Sequence, residues 1–368
     1  MNLTEILVEK DLRDILYGAT LLGAGGGGAL RDGLRLLSDA ASKYEVKLEI
    51  VDPEEMEPGD YAVMVAAIGS PKALEERNFG PEAIYAYEMM KKIAFLGGKP
   101  LKYIMAGELG GFNTMVPMYV AIANNVPFVN GDGNGRAVPE LATGLYPAFD
   151  IPPTPLVMAG SNGDVIVAYL NDPRDHKSAE NIARHICMAY GMSAAFCTWV
   201  VDRNDILEKL APKSIDRCRL LGSTIHAARE AKRDLVKELE KTDVCKELFR
   251  GTIQEVKVKT ESGFDFGTTT IHGTGKYQDK TCSIDFKNEN LLMKDGNGNI
   301  VVTVPDLICI LDLDSGEPLT NAETAAGQNV AVVGIPAPEN WWKKPEGFTC
   351  WKHILEKVGY NGGYIKTA

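Results

Sequence analysis

No apolar run in this 368-residue chain approaches the ~20 residues needed to cross a bilayer. The N-terminal stretch MNLTEILVEKDLRD lacks the basic start and apolar core of a secretion signal. The seven cysteines (187, 197, 218, 245, 282, 309 and 350) are odd in number, scattered and without a CxxC pair. A zinc ribbon and a thioredoxin-type redox site are therefore excluded, and the thiols read as reduced and mostly buried, as in a cytoplasmic protein. The five histidines (176, 185, 226, 272 and 353) form no HxH or HExxH pair. Neither a GxSxG nucleophile elbow nor a GxxxxGK[ST] phosphate loop occurs. Positive charge is in deficit as well: 39 Lys and Arg against 50 Asp and Glu give a formal charge of −11. Such a surface repels nucleic acid and anionic lipid, so neither is expected as a partner, although one local basic pocket would escape this argument.

What is present is an ordinary globular balance, with 45% apolar and 24% charged residues over a length of about two domains. Residues 9–22 carry Leu12, Ile15, Leu16 and Ala19 at the spacing of one helical face. A glycine run stops that helix at 23–28, and 29–43 starts another. No strand is expected at the start of the chain. VKLEIV (46–51) and YAVMVAAIG (61–69) read as strands, the second apolar enough to be buried on both faces. A helix over 81–95, a strand over 101–107, a helix over 115–125 and a short strand PFVNGD complete an alternation. This predicts an α/β domain with a mainly parallel sheet over residues 1–170. Four prolines fall within 146–155, and GDVIVAYL (163–170) is one more strand. Residues 171–246 read as a helical segment, with helices over 174–190 and 213–246, that packs on or joins the domains. From 247 to 368 the period becomes two, with short strands between Gly, Asn and Asp turns and a hairpin at 294–300. That half is expected to be a smaller β-rich barrel or sandwich.

Gly23–Gly28 fits GxGxxG in letters, but the dinucleotide fingerprint needs a strand before the glycines, and the preceding segment is helical. The loop either presents the N–H groups of Gly25, Gly26 and Gly27 to an anion or a polarised carbonyl or serves a purely structural role. The richest segment is 107–141. Glu108 and Asn113 follow one buried strand; Asp132, Asn134, Arg136 and Glu140 follow the next. Both clusters fall at one edge of a parallel sheet, where α/β proteins bind ligands. Carboxylates there can serve as general base or acid, and an arginine can hold a planar ligand. The bland alternative is that they cap helices and tie loops. The segment 130–141 imitates the start of an EF-hand but has Leu141 where the bidentate glutamate belongs, so it is a turn. His272, at a strand end in the second half, is the histidine to watch: it could face a cleft, and a solvated histidine is the equal alternative. Cys187 and Cys197 read as packing, not nucleophiles. Asn288-Glu289-Asn290 is more polar than a buried strand allows, which suggests an edge turn or a surface docked on the first domain.

LLGAGGGGAL, GELGGFN, VNGDGNGRAVPEL, DFKNENLL and VPDLICILDLDSGEPL occur in this order. Together they resemble the DUF917 family, whose characterised branch is named S-methyl thiohydantoin desulfurase, over residues 10 to 340. The resemblance implies two domains, an activity that removes a methylthio group from an S-methylated thiohydantoin with water, and association with hydantoinase/oxoprolinase-like proteins. On that reading Asp132 or Glu108 is the base and Arg136 and Asn113 orient the ring. The glycine loop holds its carbonyl, and Asn134, Glu140 and His272 complete the substrate site. No cofactor is expected. A metal-assisted version through Glu108, Asp132 and His272 ranks below the metal-free one, because their spacing matches no ligand motif. The competing reading is a non-catalytic ligand-binding or partner subunit of a hydantoinase-type enzyme. A homo-oligomer is left open.

Overall fold

The structure, a computed structural model, describes residues 5–69, 73, 76, 79–261 and 263–367. The first half runs β1 (Glu5–Val8), α1 (Glu9–Leu22), α2 (Leu30–Lys43), β2 (Lys47–Val51), β3 (Tyr61–Gly69), α3 (Pro81–Leu96), β4 (Leu101–Ala106), α4 (Gly111–Asn124), β5 (Phe128–Asp132), α5 (Leu145–Ala148), β6 (Leu156–Ala159) and β7 (Val165–Ala168). It continues with α6 (His176–Ala189), β8 (Ser193–Asp202), α7 (Arg203–Lys209), β9 (Ala211–Pro212), α8 (Ser214–Glu230) and α9 (Leu235–Glu240). These build one nine-stranded sheet in the order β1-β2-β5-β4-β3-β8-β6-β7, with β9 paired to β5. The expected parallel sheet is its centre, β2-β5-β4-β3, where helical crossovers return each strand in the same direction. Antiparallel strands extend both sides.

Two elements depart from the sequence reading. A strand does open the chain, but α1 stands between β1 and Gly23, so the glycine run still follows a helix. The stretch 171–246 is not helical throughout, because ten of its residues form β8 along β3. Met192 and the small residues that follow it gave no helical period and no turn signal, and their strand character comes from pairing with a buried neighbour.

Period-two alternation explains how the central strand serves two cores. Val63 and Val65 of β3 pack beneath α1–α4, whereas Ala62 and Met64 face the opposite core with Phe196, Trp199 and the α6 residue Ala183.

The second half comprises β10 (Lys246–Glu261), β11 (Phe264–Gly273), β12 (Thr281–Lys287), β13 (Glu289–Asp295), β14 (Ile300–Thr303), β15 (Leu307–Asp312), β16 (Pro318–Leu319) and β17 (Asn329–Ile335), with short helices α10 (Glu346–Thr349) and α11 (Lys352–Lys357). All its strands pair antiparallel in one sheet. The sheet curls, so that seven strands feed one core around Ile271, Ile284, Ile308 and Val332. Alternate residues of β15 and β17 (Leu307, Cys309, Ala331 and Val333) point the other way and join the first domain's core. Among the described residues, no helix is long and apolar enough to cross a membrane.

Candidate active site

Glu108 lies two residues past the end of β4 and five before Asn113, which sits in the first turn of α4. That spacing closes a local ring: Asn113 Nδ2 donates to Glu108 Oε1 at 2.5 Å, and the Val138 N–H donates to Oε2 at 2.8 Å. Glu108 is half-buried and borders a cavity of about 140 Å³. That is below the ~300 Å³ of drug-sized sites and suits one small ring. Burial pushes Glu108 up to about 7, against the lowering effect of its two donors. The cavity wall pairs this polar side, with Asn134, against apolar Met64, Val138, Phe196 and Trp199.

The remaining predicted residues divide. Asn134 is on the cavity wall, fixed by bonds from Nδ2 to the Gly107 carbonyl and from the Leu145 N–H to Oδ1. Glu140 is also on the wall, but its carboxylate accepts from Lys287 of β12 at 2.7 Å and from His353 at 2.8 Å. Those partners outweigh burial and hold it down at about 2. Asp132 is fully buried and turned into its own loop, accepting from the Asn134 and Gly135 N–H groups at 2.8 Å each, with burial raising it to about 7. It does not reach the cavity wall.

Arg136 corrects an expectation. Its side chain is fully buried, and it donates to the carbonyls of Ala137, Pro305 and Asp306 at 2.8–3.0 Å while lying over Trp351. It clamps the second domain to the first and has no fork free for a ligand.

The glycine run is likewise a joint. Its carbonyls accept from Gly111 and Asn113 at the start of α4 and from Asn290 and Asn321 of the second domain. Gly25 lies against Asn290 and Asn321, and Gly26 against Glu289. Gly27, at φ +72°, lies where a side chain would meet the Leu109 carbonyl. Of the three glycines expected to hold substrate, Gly26 spends its N–H within the loop, on the Gly23 carbonyl. His272 is exposed on β11, so Glu108, Asp132 and His272 are not assembled as a ligand set. Among the described residues, no group of three His, Cys, Asp or Glu is placed to hold a metal ion. Cys187 and Cys197 are buried and raised by burial, as inert packing thiols are.

Two more features border the site: one lies in residues 288–290, which the sequence marks as an edge turn or a docked surface, and the other has no sequence signal. Glu289 of β13 is buried against Gly26 with Oε2 lacking a hydrogen-bond partner, and burial together with the Glu108 charge raises it to about 8. The polar density of residues 288–290 was its only signal. Trp199 is the second. The pairing of β3 with β8 skips it, Val63 facing Val200 and Met64 facing Thr198, so Trp199 is a bulge residue. Its φ is +53°, rare for a bulky side chain and costing about 1–3 kcal/mol. Tyr146 stacks on it at 3.9 Å between ring centroids, and Nε1 is buried without an acceptor.

Residues 10–169 match the N-terminal domain and residues 174–353 the C-terminal domain described as S-Me-THD-like. The chain belongs to the S-Me-THD-like family. Its fold is similar to that of a crystal structure of a protein from Chromobacterium violaceum, a structural-genomics target, with TM-score 0.84 and 24% identity over 98% of this chain and 99% of that one. No curated protein matches. For the S-Me-THD-like family, then, this chain presents one small cavity bordered by a near-neutral carboxyl, with the second domain locked against the loops that shape it.

Proposed function

We propose that this chain hydrolyses a small five-membered cyclic amide-like ring of the S-methyl thiohydantoin type. The observation that carries the reading is Glu108, a half-buried carboxyl that borders a cavity of ring size and that desolvation raises to about 7. A base that titrates near neutrality is available yet still able to return its proton. Such a ring has an electrophilic carbon between two nitrogens, bearing sulfur. Glu108 takes a proton from water as the water oxygen bonds to that carbon, and the C=N electron pair moves to nitrogen. The pair then re-forms C=N as the C–S bond breaks, and the proton on Glu108 goes to the departing sulfur. One water is consumed and one thiol released, and the hydroxylated ring relaxes to a hydantoin. Asn113 holds the Glu108 oxygen that faces α4, and Asn134 shapes the wall beside it.

The test is turnover of S-methyl thiohydantoins and hydantoins by the purified chain, read as released thiol and loss of ring absorbance. Glu108→Gln is expected to lower kcat by about 10²- to 10⁴-fold. Full turnover in that variant would overturn the reading. A partner-subunit reading would rest on the exposed Leu96 and Tyr169 at a shallow groove of the first domain, and it requires that no ring be turned over.

A further inference from the structure

We propose that the apolar gap over Ala66 of β3 receives the alkyl group carried by the substrate's sulfur, and that Ala66 sets how large that group is. The inference rests on the ring-hydrolysis reading and deepens it by naming which part of the substrate each side of the cavity takes.

The gap follows from strand alternation. Met64, Ala66 and Ile68 point to one face of β3, and all three line the cavity. Across the pairing of β3 with β8, Ala66 stands opposite Phe196, which lines the cavity as well. Helix α6 closes the layer: Ala183 is buried on the wall, and Cys187 Sγ donates to the Ile68 carbonyl at 3.1 Å. The space thus lies between two alanines, in a surround of Met64, Ile68 and Phe196. Protein interiors fill apolar space to near crystal density, and a larger side chain at either alanine would have filled this one. Ala66 is itself half-buried, and its side chain is a single methyl group on the cavity side of the strand.

The gap adjoins the carboxyl. β3 and β4 run parallel with Met64 beside Met105, and the same register brings Ala66 level with Gly107, the residue before Glu108. A Cβ on Gly107 would lie 2.4 Å from Met64 Cγ, so the row on β3 packs directly against this turn. Glu108, Asn113 and Asn134 offer polar groups on one side of the cavity, and the side chains of that row carry none on the other.

An S-alkyl thiohydantoin divides in the same way. Its ring edge is nitrogen and carbonyl oxygen, and the alkyl group on sulfur is its most apolar part. The sulfur must stand within reach of Glu108 to take the proton as the C–S bond breaks, and from there the alkyl group enters the neighbouring gap. Bound the other way round, ring N–H and C=O groups would face Ala66 and Phe196 without hydrogen-bond partners, which is the less favourable pose.

The test uses the intact chain with S-methyl, S-ethyl and S-propyl thiohydantoins, and hydantoin as a ligand that has no alkyl group. Ala66→Val adds bulk to the gap at a strand position, where a β-branched residue suits the backbone. It is expected to lower kcat/KM for the S-methyl ring by about 10- to 200-fold, while hydantoin binds as in the wild type. Ile68→Ala widens the gap and is expected to raise kcat/KM for S-propyl relative to S-methyl by about tenfold. Wild-type kcat/KM for the S-methyl ring in Ala66→Val, or a loss of hydantoin binding as large as the loss of turnover, overturns the inference and leaves the role of Glu108 standing. Should Ala66→Val not fold, Ile68→Ala decides, and an unchanged preference among the three alkyl groups overturns the inference. If the wild type neither binds hydantoin nor turns over any ring, the ring-hydrolysis reading falls and takes this inference with it.

Discussion

The Lys287 ammonium of the second domain lies 2.7 Å from the Glu140 carboxylate of the first, and its side chain is only 2% exposed. This contact fastens β12 to the loop that forms one wall of the cavity, so the cavity's shape depends on domain docking. Removing one partner leaves the other charge buried. Glu140→Gln is therefore expected to cost about 3 kcal/mol in urea unfolding near neutral pH. Glu140 is held at about 2, below its ordinary 4.5, so its contribution is present above the unfolded value and is lost as pH falls through about 2. The gap between wild type and variant should close at the acid end. A gap that persists there would show that the ion pair is not its source.

The opposite sign applies to the three raised carboxyls, Glu108, Asp132 and Glu289, at about 7, 7 and 8. Each is protonated when folded and ionised when unfolded over the intervening range, so unfolding releases protons. Their stabilising effect is complete below the ordinary carboxylate range and lost as pH rises through about 8. Wild-type Tm should fall across that window. Glu289→Gln, which cannot ionise, should fall less steeply and be the more stable protein at the alkaline end. Parallel Tm curves would show that Glu289 does not titrate there.

Arg136→Lys tests the clamp. A lysine offers one point donor group where the guanidinium reaches four carbonyls, so buried acceptors are left open. The expected result is a loss of about 2–4 kcal/mol and faster proteolysis between the domains. A changed KM with unchanged stability would instead restore Arg136 to the substrate site.

What the sequence made legible follows from how local each signal is. The β4 and β5 ends could be read because apolar runs stop abruptly at Glu108 and Asp132, and the polar side chains after a buried strand must emerge at the sheet edge. Their division of labour could not be read. Whether Arg136 meets a ligand or the Pro305 carbonyl depends on a contact across 169 residues of chain. Trp199 was invisible for a related reason: a bulge is defined by the partner strand's register, and SAAFCTWVVD carries no glycine to mark it. The glycine run stayed ambiguous because the same small residues serve an N–H cradle and a close backbone approach.

That last ambiguity yields a further prediction. A Cβ on Gly26 would lie 1.9 Å from Glu289 Oε1 and 2.5 Å from its Cδ. Glu289 is 3% exposed, so it has little room to withdraw, and the clash must be relieved by moving β13 away from the loop. Overpacking of this kind costs about 1–3 kcal/mol, and Gly26→Ala should lose that much. Shortening the partner relieves the clash, so in Gly26→Ala with Glu289→Ala the glycine substitution should cost at least about 1 kcal/mol less than it does alone. Strict additivity would mean that the glycine answers to backbone conformation alone. Rescue would establish that Gly26 is small to admit Glu289, and that the glycine run is conformed to the second domain's carboxyl rather than to a bound anion.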